Sequence, residues 1–230
     1  MRLILVGHGR MGRLVGELAP EYGFEVTGVI DPQSPLHGGG PEHDRWRGAD
    51  VAIDFSLPET VSVNAPALAR QGINLVIGTT GWSADEPAVR RAAADAGVGV
   101  VAAPNFSVGV VIFEAIVARA AALMAPQAEF GAFLYEAHHA AKKDAPSGTA
   151  LLLRRAMTEA GFERPIDVSS TRAGFMPGVH TVGFDGPAET ITVSHVARDR
   201  SAFARGALTA AQWVRGRRGW FTMKDVLGVR

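Results

Sequence analysis

The sequence predicts an α/β protein, in which a doubly wound parallel-sheet domain precedes a smaller α+β domain built on an open mixed or antiparallel sheet. Three observations carry this. Apolar runs of strand length alternate with helical spacings from Met1 to Ala103. A glycine-rich turn joins the first strand to the first helix. After Pro104 the alternation stops, and patterns of antiparallel type take over.

Leu3 to Val6 is a continuous apolar run bounded by glycine, as expected of a parallel strand buried on both faces. Met11, Leu14, Val15 and Leu18 follow at i, i+3, i+4 and i+7, the apolar stripe of a helix packed on that strand. Phe24 to Ile30 reads as the second strand and stops at Asp31-Pro32, because proline cannot donate to a ladder. Val51 to Phe55 (strand), Pro58 to Arg70 (helix), Ile73 to Ile77 (strand), Ser83 to Ala96 (helix) and Val98 to Ala103 (strand) continue the rhythm, with right-handed crossovers expected. Ser83 and Glu86 have the spacing of a capping box. Gly38-Gly39-Gly40-Pro41 reads as a surface loop tip.

Val110 to Met124 is one long helical stretch, and Phe130 to Tyr135, Val179 to Phe184 and Glu189 to Val196 alternate as antiparallel strands do. Ile191, Val193 and His195 share one face of the last strand, while Thr190, Thr192 and Ser194 share the other. A sheet with such a half-wet face needs a cover, and the same sheet of another subunit is expected to supply it in a homotetramer. Phe203 to Val214 returns to helical spacing. The expected division is a first domain over 1–105, completed by 203–230, and a second domain for substrate and oligomerisation over 106–202. Hinges are expected near Asn105 to Ser107 and Arg200 to Phe203.

Composition narrows the function. Of 230 residues, 47% are hydrophobic and 20% charged, and 23 Lys plus Arg balance 23 Asp plus Glu. Nothing global therefore draws the chain to nucleic acid or an anionic membrane, so an anion site has to be built locally. The chain has no cysteine, which excludes disulfides, thiolate metal sites and a Cys nucleophile. The glycines and arginines from Gly7 to Arg13 interrupt any signal-peptide core, and no uninterrupted apolar run is long enough to span a bilayer. A cytoplasmic location is the default expectation.

Gly7-His8-Gly9-Arg10-Met11-Gly12 matches GxGxxG between a strand and a helix, where glycines permit a tight turn and a close approach of backbone to pyrophosphate. Asp31 ends the second strand roughly 20 residues on, placed to accept hydrogen bonds from ribose hydroxyls. These features make the first domain Rossmann-type. Pro32, Gln33, Ser34 and Pro35 offer no cation for a 2′-phosphate, so NADH is expected to serve at least as well as NADPH, although Arg10 and Arg13 stand near the phosphates. Gly78, Thr79 and Thr80, and then Ala103, Pro104, Asn105 and Phe106, follow later strands at the same carboxyl edge and complete the expected cofactor contacts.

The segment from Glu136 to Thr149 places His138, His139, Lys142 and Lys143 beside a turn and the start of a helix over Thr149 to Ala160. Free backbone N–H groups at that start favour anions, so a substrate with two carboxylates suits it; a solvated charged loop is the alternative reading. A metal site is not expected, because adjacent histidines on an extended segment point apart and protonated lysine is a poor ligand. His180 and His195 read as packed or surface histidines, and Trp213 and Trp220 as core or interface residues.

The stretch EAHHxxKxDAPSGTA, present from Glu136 to Ala150, resembles the hallmark of the dihydrodipicolinate reductases. The resemblance extends to GHGRMG, Gly78 to Gly81, Ala103 to Val110, Arg172-Ala-Gly, Gly178 to Val182, Glu189, His195, Phe203 to Ala207 and Trp220 to Gly228, nearly the whole chain; Pro32 to Trp46 departs from it. It implies that hydride from NADH or NADPH reduces 4-hydroxy-tetrahydrodipicolinate to tetrahydrodipicolinate with loss of water, in the diaminopimelate route to lysine. His138 would be the proton donor and Lys142 its partner. His139, Gly148 and Thr149 would hold carboxylate oxygens, with Lys143 added on electrostatic grounds. The first half alone also fits an aspartate dehydrogenase-like enzyme or a non-catalytic NAD-binding redox sensor.

Overall fold

Leu3 to Val6 are no more than 2% exposed, so the first strand, β1 (Arg2–Val6), is covered on both faces as its unbroken apolar run requires. It leads through a tight turn into α1 (Arg10–Leu18), then β2 (Glu25–Ile30), β3 (Val51–Asp54), α2 (Pro58–Arg70), β4 (Asn74–Ile77), α3 (Glu86–Ala96) and β5 (Gly99–Ala102). Next come α4 (Val108–Met124), β6 (Gly131–His138), α5 (Gly148–Glu159), β7 (Ile166–Arg172), β8 (Val179–Asp185), β9 (Thr190–Val196), α6 (Ser201–Val214), β10 (Gly219–Phe221) and α7 (Met223–Leu227). These elements belong to a computed structural model that describes residues 1–229. They fall into two compact units, one of Met1–Val108 with the segment from Ser201 onward, the other of Gly109–Arg200. Among the described residues no helix is long and apolar enough to cross a membrane.

The first unit carries a six-stranded sheet in the order β10-β5-β4-β3-β1-β2, parallel throughout. From β1 the chain steps outward to β2 and then returns past β1 to β3. The strand order therefore reverses between β1 and β3, where open α/β sheets bind ligands at the carboxyl edge. Helix α6 returns to this unit through small residues, with Ala204, Gly206, Ala207, Ala210 and Ala211 all buried. Strand β10 pairs with β5, an addition too short for periodicity to reveal.

Two local expectations need correction. The capping box is absent: α3 begins at Glu86, its N-cap Asp85 makes no side-chain cap bond, and Glu86 is paired with Arg90 at 2.7 Å instead. An i,i+4 ion pair has taken the carboxylate that the box needed. Nor is the glycine-rich loop a free tip. Gly38 donates to Val29 O, Gly40 O accepts from the indole of Trp46, and that buried indole lies where a Cβ on Gly28 would have to go, 2.4 Å away.

In the second unit the sheet runs β7-β6-β8-β9, with β6 parallel to β7 and antiparallel to β8. The parallel partner β7 escapes sequence reading because its residues, IDVSSTR, lose apolar alternation after Val168. One face packs on α4 and α5 through Phe113, Val117, Leu134, Leu153, Met157, Val182 and Phe184. Arg164 ties this core together by donating to the carbonyls of Met124, Ala125 and Phe130, which closes the end of α4. Strand β6 extends three residues past the expected end at Tyr135, which puts Glu136 and His138 on the core face in line with Ala132 and Leu134. The opposite face, with Tyr135, Thr181, Thr192 and Ser194, bears side chains that are exposed or half-buried.

Candidate active site

In the first unit the three glycines of the turn do different work. Gly7 has φ +85°, and a Cβ there would lie 2.4 Å from Phe55 O; one on Gly12 would lie 2.0 Å from Gly7 O. Both positions are closed by backbone packing. A Cβ on Gly9 would meet nothing within 4 Å, so this glycine faces open space at the N-terminus of α1, whose N–H groups have no side-chain cap. An uncapped helix start beside open space fits the pyrophosphate of a dinucleotide.

Asp31 is joined to this turn. Its carboxylate accepts from His8 N at 2.7 Å and from Gln33 N at 2.9 Å, while Ser34 Oγ bonds His8 Nδ1 at 2.9 Å. Arg10 is exposed, whereas Arg13 donates to His8 O and so braces the turn. The fold also brings two side chains close that lie outside Pro32 to Pro35. His37 Nδ1 accepts the Asp31 N–H, and Arg45 is engaged by Gly38 O and by the Trp46 ring at 5.0 Å.

The later loops of this edge are held by a buried acid. Asp54, only 4% exposed, accepts from Ser56 N, Ser56 Oγ and Thr79 Oγ1 at 2.9, 2.6 and 2.8 Å, and so links the loops after β3 and β4. Burial raises its pKa against these hydrogen bonds. Thr79 thus has its hydroxyl turned inward, whereas Thr80 is exposed, and Gly78 is closed by the Phe55 ring. Thr79, Thr80, Ala103 and Pro104 line one cavity of about 300 Å³. Trp82 and Trp220 complete its wall, neither of which the motif reading had placed there. Asn105 accepts from Ser107 N, and Phe106 is buried edge-on against Phe55 at 6.1 Å, so it can meet a ligand only through its backbone.

In the second unit the core face of the sheet ends in charge. Glu136, fully buried, places Oε2 in a very short hydrogen bond with His138 Nδ1 and Oε1 2.6 Å from the guanidinium of Arg172. The backbone pairings make this possible: His138 faces Arg172 across β6 and β7, and Glu136 faces His180 across β6 and β8. The rings of His138 and His180 meet edge to face at 5.1 Å. Ser147, the N-cap of α5, accepts from Ala150 N and bonds His180 Nε2 at 3.1 Å. Burial keeps the His180 ring neutral, and Ser147 Oγ serves both the helix start and this imidazole.

The protonation states diverge accordingly. Burial alone raises the Glu136 carboxyl, but hydrogen bonds from Arg172, Ser170 and His138 outweigh it and hold the group at about 2. Burial, reinforced by His138, pushes His180 down to about 4. His138 is lowered by burial and, less strongly, by Lys142 and Arg172, while Glu136 opposes the fall. For both Glu136 and His180 the folded value lies below the ordinary one, so their stabilisation is complete at neutral pH and is lost on acidification. Urea unfolding should therefore show stability falling from pH 6.5 to about 4 as His180 charges, and further from 4.5 to about 2 as Glu136 protonates. A flat profile between pH 7 and 4 would contradict the neutral assignment of His180.

Glu136, His138 and His180 have donor atoms within 4.8 Å of one another, the spacing of a possible cation site. Each is already engaged, however, and a cation would have to displace the Arg172 guanidinium and the His138 hydrogen bond from Glu136. The arrangement is that of a charge-paired proton network.

The predicted cations do not converge equally. Lys142 is half-buried and paired with Asp144 at 2.8 Å, which lowers the Asp144 carboxyl. His139 and Thr149 are half-buried, Gly148 begins α5 with its surface exposed, and Lys143 is exposed. Sequence reading missed Glu136, Arg172, Ser147 and His180 as partners of His138. Two-residue spacing on a strand was a usable signal for Glu136, whereas Arg172 and His180 enter only through pairing across the sheet.

Comparison with known proteins agrees with this geometry. The family model described as dihydrodipicolinate reductase, N-terminus, matches residues 1–106, and the one described as dihydrodipicolinate reductase, C-terminus, matches residues 109–227. The chain belongs to the dihydrodipicolinate reductase family. Within that family it is 38% identical to the 4-hydroxy-tetrahydrodipicolinate reductase of Rhodopseudomonas palustris (strain TIE-1) over 268 residues, covering 100% of this chain and 98% of the relative. It is 43% identical to the enzyme of the same name from Methanosarcina barkeri over 236 residues, covering 95% and 86%. The dipicolinate-bound dihydrodipicolinate reductase from Paenisporosarcina sp. TG-14 superposes with a TM-score of 0.83 at 21% identity, covering 98% of each chain, which establishes the shared fold.

Proposed function

We propose that the protein is a nicotinamide-dependent 4-hydroxy-tetrahydrodipicolinate reductase, which forms tetrahydrodipicolinate with loss of water in the diaminopimelate route to lysine. The observation that carries this reading is the Glu136–His138–Arg172 network beside Lys142 and the start of α5, within a chain whose two halves both match the family. The first unit is the cofactor domain and the second the substrate domain. A reduced nicotinamide, when bound, supplies the hydride. Gly7, His8, Gly9, Arg10, Met11, Gly12 and Asp31 hold its dinucleotide, with Gly78 to Thr80 and Ala103 to Phe106 along the same edge.

In the second unit Lys142, His139, Gly148 and Thr149 receive the carboxylates of the ring, and Lys143 adds long-range attraction. His138 donates the proton that balances the hydride. A bound dianion favours its imidazolium form, which offsets the lowering by burial. An assay coupled to the preceding synthase, following NADH or NADPH absorbance, tests the activity. No substrate-dependent oxidation with either cofactor would end the proposal.

Two finer readings accompany it. NADH is used at least as well as NADPH, because no cation follows Asp31 directly and Arg45 is engaged by Gly38 and Trp46. Michaelis constants should be no higher for NADH; a strong preference for NADPH contradicts this. The exposed sheet face carrying Tyr135, Thr181 and Ser194 packs on the same face of a second copy in a homotetramer. Light scattering after size exclusion should give four times the 24.2 kDa chain mass, and a monomer would refute the packing.

A further inference from the structure

We propose that Glu136, held ionised by Arg172, is the positioning residue that fixes His138 with hydrogen on Nδ1 and so presents Nε2 as its proton-donating atom. The inference deepens the proposed function and rests on His138 being the donor. Glu136 is fully buried at the end of the core face, and its two oxygens are divided: Oε2 goes to His138 Nδ1, Oε1 to Arg172 and, at 3.3 Å, to Ser147 N. A carboxylate can only accept, so the atom it meets on the ring carries the hydrogen. The other ring nitrogen is left for chemistry. Nε2 lies beside Gly178, where a Cβ would come within 3.2 Å, so the bare glycine keeps this side of the ring uncrowded.

Four charged or titratable groups face His138: Glu136 on its own strand, His180 from β8, Arg172 from the end of β7 and Lys142 from the following loop. Only Glu136 favours the imidazolium. His180, kept neutral by burial, adds no competing charge at neutral pH. In the donating step the Nε2–H bond breaks, the proton passes to the reduced substrate, and the electron pair stays on Nε2. The product is neutral His138 with Nδ1–H still donating to the Glu136 carboxylate, the same state that the resting network prescribes.

Glu136→Gln keeps the shape and an accepting oxygen but removes the charge. It should lower kcat at least tenfold with KM for the dicarboxylate within about twofold, and shift the high-pH limb of the kcat profile to lower pH by about one unit, since a nearby opposite charge moves a pKa by one to three. An unchanged limb with unchanged kcat overturns the proposal, as does a loss confined to KM. Should this variant fail to fold, nitrogen NMR of the wild-type protein decides instead, with His138 assigned by its disappearance in His138→Gln. The neutral ring should carry hydrogen on Nδ1, and hydrogen on Nε2 overturns the inference. An inactive His138→Gln beside a fully active Glu136→Gln would remove Glu136 and leave the donor role intact; an active His138→Gln would remove the donor role itself.

Discussion

His138→Gln should lower kcat by about 10²–10⁴-fold, the usual contribution of a positioned acid, while KM for the dicarboxylate stays near its wild-type value. The split follows from where the interaction acts. A hydride delivered to an unsaturated ring leaves negative charge on the conjugated system, and the proton that quenches it is needed in the transition state far more than in the bound ground state. Glutamine fills a similar space and can still hydrogen-bond, but it has no proton to give at neutral pH. Steady-state kinetics settles the matter, and unchanged turnover would remove His138 from the mechanism.

Arg172→Ala should cost about 3–5 kcal/mol of stability, because it leaves the buried charge of Glu136 without its principal partner. Arg172 also donates to Asp144 O at 2.5 Å, so its loss loosens the loop that carries Lys142. The sign with pH is informative. Without Arg172, burial dominates Glu136 and its carboxyl should rise from about 2. The variant should then lose much of the stability that the native protein sheds between pH 4.5 and 2. Urea titrations at pH 7 and pH 3 test this, and a variant as stable as wild type at pH 7 would show that the pair contributes nothing net.

Most of the first unit was legible in the sequence. Its inner strands β1, β3, β4 and β5 are buried on both faces and show as short apolar runs, and the helices between them carry 3.6-residue stripes. The glycine turn was legible because backbone closeness permits no side chain at Gly7 or Gly12. The errors there came from groups with more than one available partner. Glu86 had Arg90 as well as Ser83, and the loop at Gly38 to Gly40 had Trp46 to fold against.

The sequence by itself determined the alternating parallel sheet, the glycine turn and the segment from Glu136 to Thr149 that carries His138 and Lys142, since each is written in local spacing. Only the tertiary structure decided that Glu136, Arg172, Ser147 and His180 surround that histidine. Arg172 and His180 lie on strands whose own patterns carry no mark of their partners, and strand pairing across the sheet brings them in. A buried charge network depends on which residues meet in space, and those contacts join positions far apart along the chain.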